Sequence, residues 1–243
     1  MGESRLLWTI WPGTGSGSEG EQGVRGQRKS RDRARPAVSG RAFNQVGAEM
    51  KRVVLIGDSI RMGYQSVVAE ALKGEAEVWG PDKNGGDSQN VLAHLDEWAI
   101  GRKPDIIHIN CGLHDIKKEF NSGGAQVPFE EYVKNVETIL GRLKREAKCP
   151  IIWALTTPVN EQWHHDQKGF DRFEADVDAI NDATKEICVR LDIPVNDLHS
   201  VVIAAGRDTL LVDDGVHFTT EGYEVLGSKV SDQLSDFSIQ TGG

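Results

Sequence analysis

From residue 50 onward, short and mainly apolar runs alternate with longer segments of helical spacing. The runs at 53–56, 77–79, 106–109, 151–155 and 194–198 are the expected strands. Between them, apolar residues recur three or four apart. Val67, Val68, Ala71 and Leu72 mark a helix over 64–73, and Val91, Leu92, Leu95 and Trp98 one over 88–100. Tyr132, Val136, Ile139, Leu140 and Leu143 mark 129–147; Phe173, Val177, Ile180, Ala183, Ile187 and Leu191 mark 171–191. A last helix is expected over 220–234, with Thr220 as its N-cap. Strands that are apolar at successive positions are buried on both faces. Strand–helix alternation with right-handed crossovers then predicts an α/β protein, a three-layer α/β/α sandwich around a parallel five-stranded sheet. Such sheets bind ligands outside the carboxyl ends of their strands, and the polar, glycine-rich segments here follow those ends.

Residues 1–49 break the pattern. They are rich in Gly, Ser and Arg, include the run Gly13-Thr14-Gly15-Ser16-Gly17-Ser18, and show no sustained period. Such a segment buries too little apolar surface to offset its ordering entropy, so a disordered tail is expected over 1–49 and one folded domain over 50–238. The charge divides at the same place. The first 49 residues hold 8 Lys and Arg against 5 Asp and Glu, about +3, and the rest hold 20 against 32, about −12, of the formal −9. An acidic folded part argues against nucleic acid as a partner. The longest early apolar stretch, residues 6–11, is too short for a bilayer span or a signal core. Cys111, Cys149 and Cys188 form no C-x-x-C pair and sit in apolar settings, as buried free thiols do, so a reducing, cytoplasmic location is expected.

Four polar segments at strand ends carry candidate chemistry. Gly57-Asp58-Ser59-Ile60 puts a serine at a strand-to-helix turn, where helix N-terminal amides favour an anion. By itself it reads equally well as a turn with a capping serine. Asp213-Asp214-Gly215-Val216-His217 precedes the last helix. A serine hydroxyl needs a base, and a histidine suits that task near neutral pH. A carboxylate three residues earlier can turn back through the glycine and hold the other imidazole N–H, which favours Asp214 over Asp213. Asn84-Gly85-Gly86-Asp87-Ser88 offers bare backbone N–H groups. Asn110-Cys111-Gly112-Leu113-His114-Asp115 brings His114 to a strand end.

Taken in order along residues 53–234, these segments resemble the GDSL-type, or SGNH, hydrolases. The resemblance implies a flavodoxin-like α/β/α fold, a serine esterase, Ser59 as nucleophile, and Asp214 with His217 as the base pair. It implies an oxyanion hole made by the backbone of Ser59, by Gly86 and by the position of His114. One segment departs: the family carries Gly-x-Asn-Asp where this chain has Gly112-Leu113-His114-Asp115. An imidazole N–H replaces an amide as the third donor, and losing such a donor outright costs about 3 kcal/mol.

Arg61, Thr157 and Trp163 are further candidates for substrate contact, with a solvated or capping arginine the plain alternative for Arg61. His164 and His165 lack a third ligand, so no metal and no cofactor is expected. The polar, Trp-containing segment 156–165 favours small acyl esters, acetyl groups on carbohydrate among them, as substrate. Two other classes remain. A carbohydrate-binding module of the same fold, weakened in hydrolysis by His114, is the alternative. A nucleotide-binding domain fits less well, because the first turn lacks a phosphate-cradling glycine pattern.

Overall fold

The computed structural model describes residues 50–240 apart from Ser122. The tail expected over 1–49 lies outside the described residues. The elements are β1 (Lys51–Ile56), α1 (Ser59–Ala71), β2 (Ala76–Trp79), α2 (Ser88–Ala93), α3 (Leu95–Trp98), β3 (Ile106–Ile109) and β4 (Lys118–Glu119). There follow α4 (Phe129–Glu146), β5 (Ile151–Ala154), α5 (Glu161–Gln167), β6 (Phe170–Asp171), α6 (Glu174–Leu191), β7 (Val195–Asn196), α7 (Leu198–Ala205), α8 (Arg207–Leu210) and α9 (Thr220–Gln240).

Five strands form one sheet in the order β2-β1-β3-β5-β7, every neighbour parallel. Counting those strands alone gives 2-1-3-4-5, the flavodoxin-like order, with a switch point between β1 and β3. Residues 53–56 and all of β3 and β5 are buried, as continuous apolar strands must be. Helices on both faces complete the expected three layers. Helix α1 packs on α9, and α4 packs on α2 and α6. Cys111 and Cys188 are buried and Cys149 half-buried, all as free thiols.

Four local expectations change. Helix α1 begins at Ser59, five residues before the apolar period shows it, because the Asp58 side chain caps it by accepting from Ile60 N–H at 2.9 Å. The helix expected over 88–100 breaks at His94. The ring of that residue bonds the Asn90 carbonyl at 2.9 Å and stacks on Trp98 at 4.5 Å, competing with the helical ladder. Helix α6 starts at Glu174 rather than 171, because Phe170–Asp171 pairs antiparallel with Lys118–Glu119 in a separate two-stranded ribbon. At α9 the cap is Thr219, whose hydroxyl accepts from Gly222 N–H at 3.1 Å, and Thr220 is the first helical residue.

Candidate active site

The β1 carboxyl end turns directly into α1. Since Asp58 takes the capping role, the Ser59 hydroxyl is left for another partner. That partner is His217: Ser59 Oγ lies 2.8 Å from His217 Nε2. On the other side of the ring, Nδ1 lies 2.6 Å from Asp214 Oδ2. A carboxylate only accepts, so Nδ1 carries the hydrogen and Nε2 of the neutral ring accepts from the serine. Asp214 Oδ1 also accepts the backbone N–H groups of Val216 (3.0 Å) and His217 (2.9 Å). Burial alone would raise the pKa of Asp214, but these three hydrogen bonds outweigh it and hold the carboxyl well below the usual range. Asp213 is exposed and makes none of these contacts.

The base turn is braced from behind. Antiparallel pairing of Leu211 with Phe218 closes it, with Val212 N–H donating to the His217 carbonyl at 2.9 Å. Gly215 stands at φ +70, and a Cβ there would meet the Asn160 carbonyl and lie 2.8 Å from the His164 nitrogen. Only glycine accepts both demands. Asn160 N–H donates to the Gly215 carbonyl at 2.8 Å, and Lys168 Nζ sits 3.2 Å from Asp214 Oδ2. Residues 160–168 thus support the base turn. Trp163 is half-buried, with its Cβ 3.2 Å from where a Gly215 Cβ would stand.

On the opposite side, the 84–88 turn meets the serine turn. Gly85 N–H donates to the Gly57 carbonyl at 3.0 Å, and a Cβ on Gly85 would lie 2.6 Å from that oxygen. Close approach of the two turns thus depends on the missing side chain. The Gly86 N–H, expected as an oxyanion donor, here donates to Asn84 Oδ1 at 2.8 Å. Asp87 caps α2 through Asn90 N–H at 2.9 Å. Asp115 secures this turn from beneath, accepting from Ser88 N–H at 3.0 and 3.1 Å. Burial pushes Asp115 up to about 7 against those hydrogen bonds.

His114 is half-buried at the β3 end. Burial holds it below its ordinary value; Asp58 pulls it upward, while Arg172 and Lys117 push it further down. A neutral imidazole with one N–H follows. Asn110 fixes the same loop to the sheet, donating through Nδ2 to the Ala154 carbonyl at 2.8 Å.

Of the expected substrate contacts, one is committed elsewhere and another is buried. Arg61 is 3% exposed and donates to the loop carbonyls of Pro81 (2.8 Å) and Lys83 (3.0 Å) and to Gln65 (2.6 Å). Thr157 is buried beside it, facing a small cavity shared with Ile60 and Leu113. The adjacent histidines diverge: His165 Nδ1 meets Asp171 at 2.7 Å, and His164 turns inward to the Asp214 carbonyl. Glu174, Asp178 and His199 bring possible ligand atoms within 4.8 Å of one another. Glu174 is already committed, however, to Val159 N–H at 2.7 Å and His199 at 2.8 Å.

Sequence reasoning gave no supporting role at the site to Asp115, His164, Lys168 or Arg172. Asp115 was visible as the last residue of Gly112-Leu113-His114-Asp115; the other three stand in no motif and meet the site only through the fold.

A flavodoxin-like sheet with these groups at its carboxyl edge defines a hydrolase of ester bonds. The chain belongs to the GDSL-like Lipase/Acylhydrolase family, which it matches over residues 55–225. It is 24% identical over 198 residues to a GDSL esterase/lipase of Oryza sativa subsp. japonica, covering 73% of this chain and 75% of that one. Its fold is similar to that of a lipase/acylhydrolase from Enterococcus faecalis, with TM-score 0.66, 22% identity, and coverage of 77% of this chain and 96% of the other. It is likewise similar to an acetylxylan esterase from Geobacillus stearothermophilus, with TM-score 0.62, 18% identity, and coverage of 77% and 96%. Among the described residues no helix is long and apolar enough to cross a membrane.

Proposed function

We propose that the chain hydrolyses small acyl esters, acetyl groups on carbohydrate among them, through an acyl-enzyme on Ser59. The observation that carries this reading is the continuous chain from Ser59 Oγ through His217 to Asp214, at 2.8 and 2.6 Å. Ser59 Oγ attacks the ester carbonyl carbon while His217 Nε2 takes its proton. Asp214 keeps the ring in the productive tautomer and stabilises the imidazolium. The negative charge on the carbonyl oxygen falls to the Ser59 N–H, to the His114 imidazole, and to the Gly86 N–H once it leaves Asn84 Oδ1. As the first residue of α1, Ser59 has an N–H without an intrahelical acceptor. The tetrahedral intermediate collapses as His217 protonates the leaving alcohol. Water then repeats the sequence against the acyl-enzyme and releases the acid.

The small-acyl part of the reading draws on the polar, Trp-containing segment 156–165. An acetylxylan esterase also shares the fold. The alternative, a carbohydrate-binding module of the same fold, draws on the Gly86 N–H already being satisfied by Asn84. Turnover of p-nitrophenyl acetate and octanoate, with fluorophosphonate labelling of wild type and Ser59→Ala, tests both. Labelling of wild type alone, with acetate preferred, is expected. Absence of labelling with retained glycan binding would establish the module, and preference for octanoate would refute the small-acyl assignment.

A further inference from the structure

The base turn and the His114 loop lie about a hundred residues apart in sequence, and one buried pair joins them. Arg172 Nε donates to the carbonyl of Leu113, the residue before His114. Its Nη1 lies 3.2 Å from His164 Nε2. His164 Nδ1 lies in turn 3.0 Å from the Asp214 carbonyl oxygen. That carbonyl only accepts, so Nδ1 carries the hydrogen. The neutral ring then presents Nε2 as the acceptor for the guanidinium. Each bond has one possible direction: Arg172 gives to His164, and His164 gives to Asp214. Burial pushes His164 below its ordinary value, which keeps the ring neutral as this pattern requires.

The pair is costly as mere filling. Both residues are buried, and the hydrogen-bond partners of Arg172 are a carbonyl and a neutral imidazole rather than a carboxylate. The ring of Phe170 lies 5.0 Å from the guanidinium. Asp58 and Asp214 attract the guanidinium, but no carboxylate bonds it directly, so desolvating it opposes folding, and an apolar pair of similar size would occupy the space without that cost. What an apolar pair cannot do is tie two loops to each other by directed bonds. The antiparallel ribbon of β4 and β6 brings Arg172 to the His114 loop, and α5 brings His164 to the base turn.

We propose that Arg172 and His164 are positioning residues, which hold the Asp214–His217 turn in register with the Leu113–His114 loop so that base and oxyanion donor act on one carbonyl group. This rests on the reading of Ser59 as nucleophile and His217 as base. Misplacing reacting groups by about 1 Å costs on the order of 100-fold in rate. Both residues are buried and are assigned no substrate contact, so the loss belongs in kcat rather than in KM.

The test uses the full chain with p-nitrophenyl acetate and compares wild type, His164→Leu, Arg172→Met and their double variant. Thermal midpoint and the rate of fluorophosphonate labelling are measured on each. Each single variant is expected to lower kcat by about 10- to 100-fold with KM within about threefold. The double variant is expected to be no slower than the slower single, because one chain of bonds breaks only once. His164→Asn, whose side-chain amide keeps a donor for the Asp214 carbonyl, should lose less than His164→Leu. If the apolar variants do not fold, Arg172→Lys retains the charge without the two-way bridge and should show the same kcat loss. Multiplying losses in the double variant, or a folded His164→Leu or Arg172→Lys at wild-type kcat, would overturn the proposal. Failure of the underlying serine reading looks different: Ser59→Ala would keep turnover, and wild type would not be labelled.

Discussion

The buried carboxyl of Asp115 takes the backbone N–H of Ser88 on both of its oxygens, at 3.0 and 3.1 Å. It thereby fixes the start of α2 directly after the Gly86 turn. Burial dominates the environment of Asp115, with the Ser88 hydrogen bonds opposing it, and its value rises to about 7. The unfolded value is about 3.9. The folded protein thus retains a proton that the unfolded chain gives up, so this contribution is complete below about pH 4 and is lost as pH rises through about 7. At about 1.4 kcal/mol per tenfold change in acidity, the loss amounts to at most about 4 kcal/mol. Urea midpoints of wild type minus Asp115→Asn should fall between pH 4 and 7 and level off above. A flat difference would contradict the burial argument.

Asp214→Asn is expected to keep the fold and lower kcat by about 10⁴-fold. The amide can present its NH₂ to Nδ1, which favours the ring tautomer that cannot accept the Ser59 proton. Far-ultraviolet circular dichroism beside kcat separates this from unfolding. A loss below tenfold would remove Asp214 from the orienting role.

Gly215→Ala should destabilise by about 1–3 kcal/mol, since φ +70 and the nearby Asn160 carbonyl both oppose a Cβ. Turnover should fall with it, because the same turn carries Asp214 and His217. Gly169→Ala is the matched control: no atom lies within 4 Å of its added Cβ, so a change within about 0.5 kcal/mol is expected. Thermal denaturation of the two variants decides this, and equal midpoints would refute it.

Asn84→Asp keeps the shape of the side chain that accepts from Gly86 N–H and adds a negative charge where the oxyanion forms. A fall of at least tenfold in kcat/KM is expected, about 1.4 kcal/mol in the transition state. His114→Asn, which restores an amide donor at its position, should preserve or raise kcat. Steady-state kinetics on the two variants checks both directions. An unaffected Asn84→Asp would take Gly86 out of the oxyanion hole, and a large loss in His114→Asn would mean that the imidazole does more than donate.

Much of the architecture was legible because it is local. Residues 53–56, 106–109 and 151–154 could be read as buried strands from runs of apolar residues, and α4 from its three-and-four spacing, since both signals follow from burial geometry. The start of α1 was hidden, because a cap acts through one side-chain oxygen and adds nothing to apolar periodicity. The ribbon of β4 and β6 was hidden as well. Two-residue strands whose paired residues lie 51 and 53 positions apart in sequence have no period to detect.

The same division runs through the site. By order and residue type alone, the sequence determined that a serine follows the first strand and that Asp214 and His217 stand three apart before the last helix. Spacing within one turn is a local property, and a carboxylate can reach an imidazole across it without help. Tertiary structure decided that Nε2 of that imidazole faces Ser59 Oγ across 158 residues of chain, which requires the whole parallel sheet to close first. It also decided that Arg61 turns away to carbonyl groups and that His164 and Arg172 turn toward the base. A long polar side chain goes where its hydrogen bonds can be met once water is excluded, and only the packed fold fixes where those partners are.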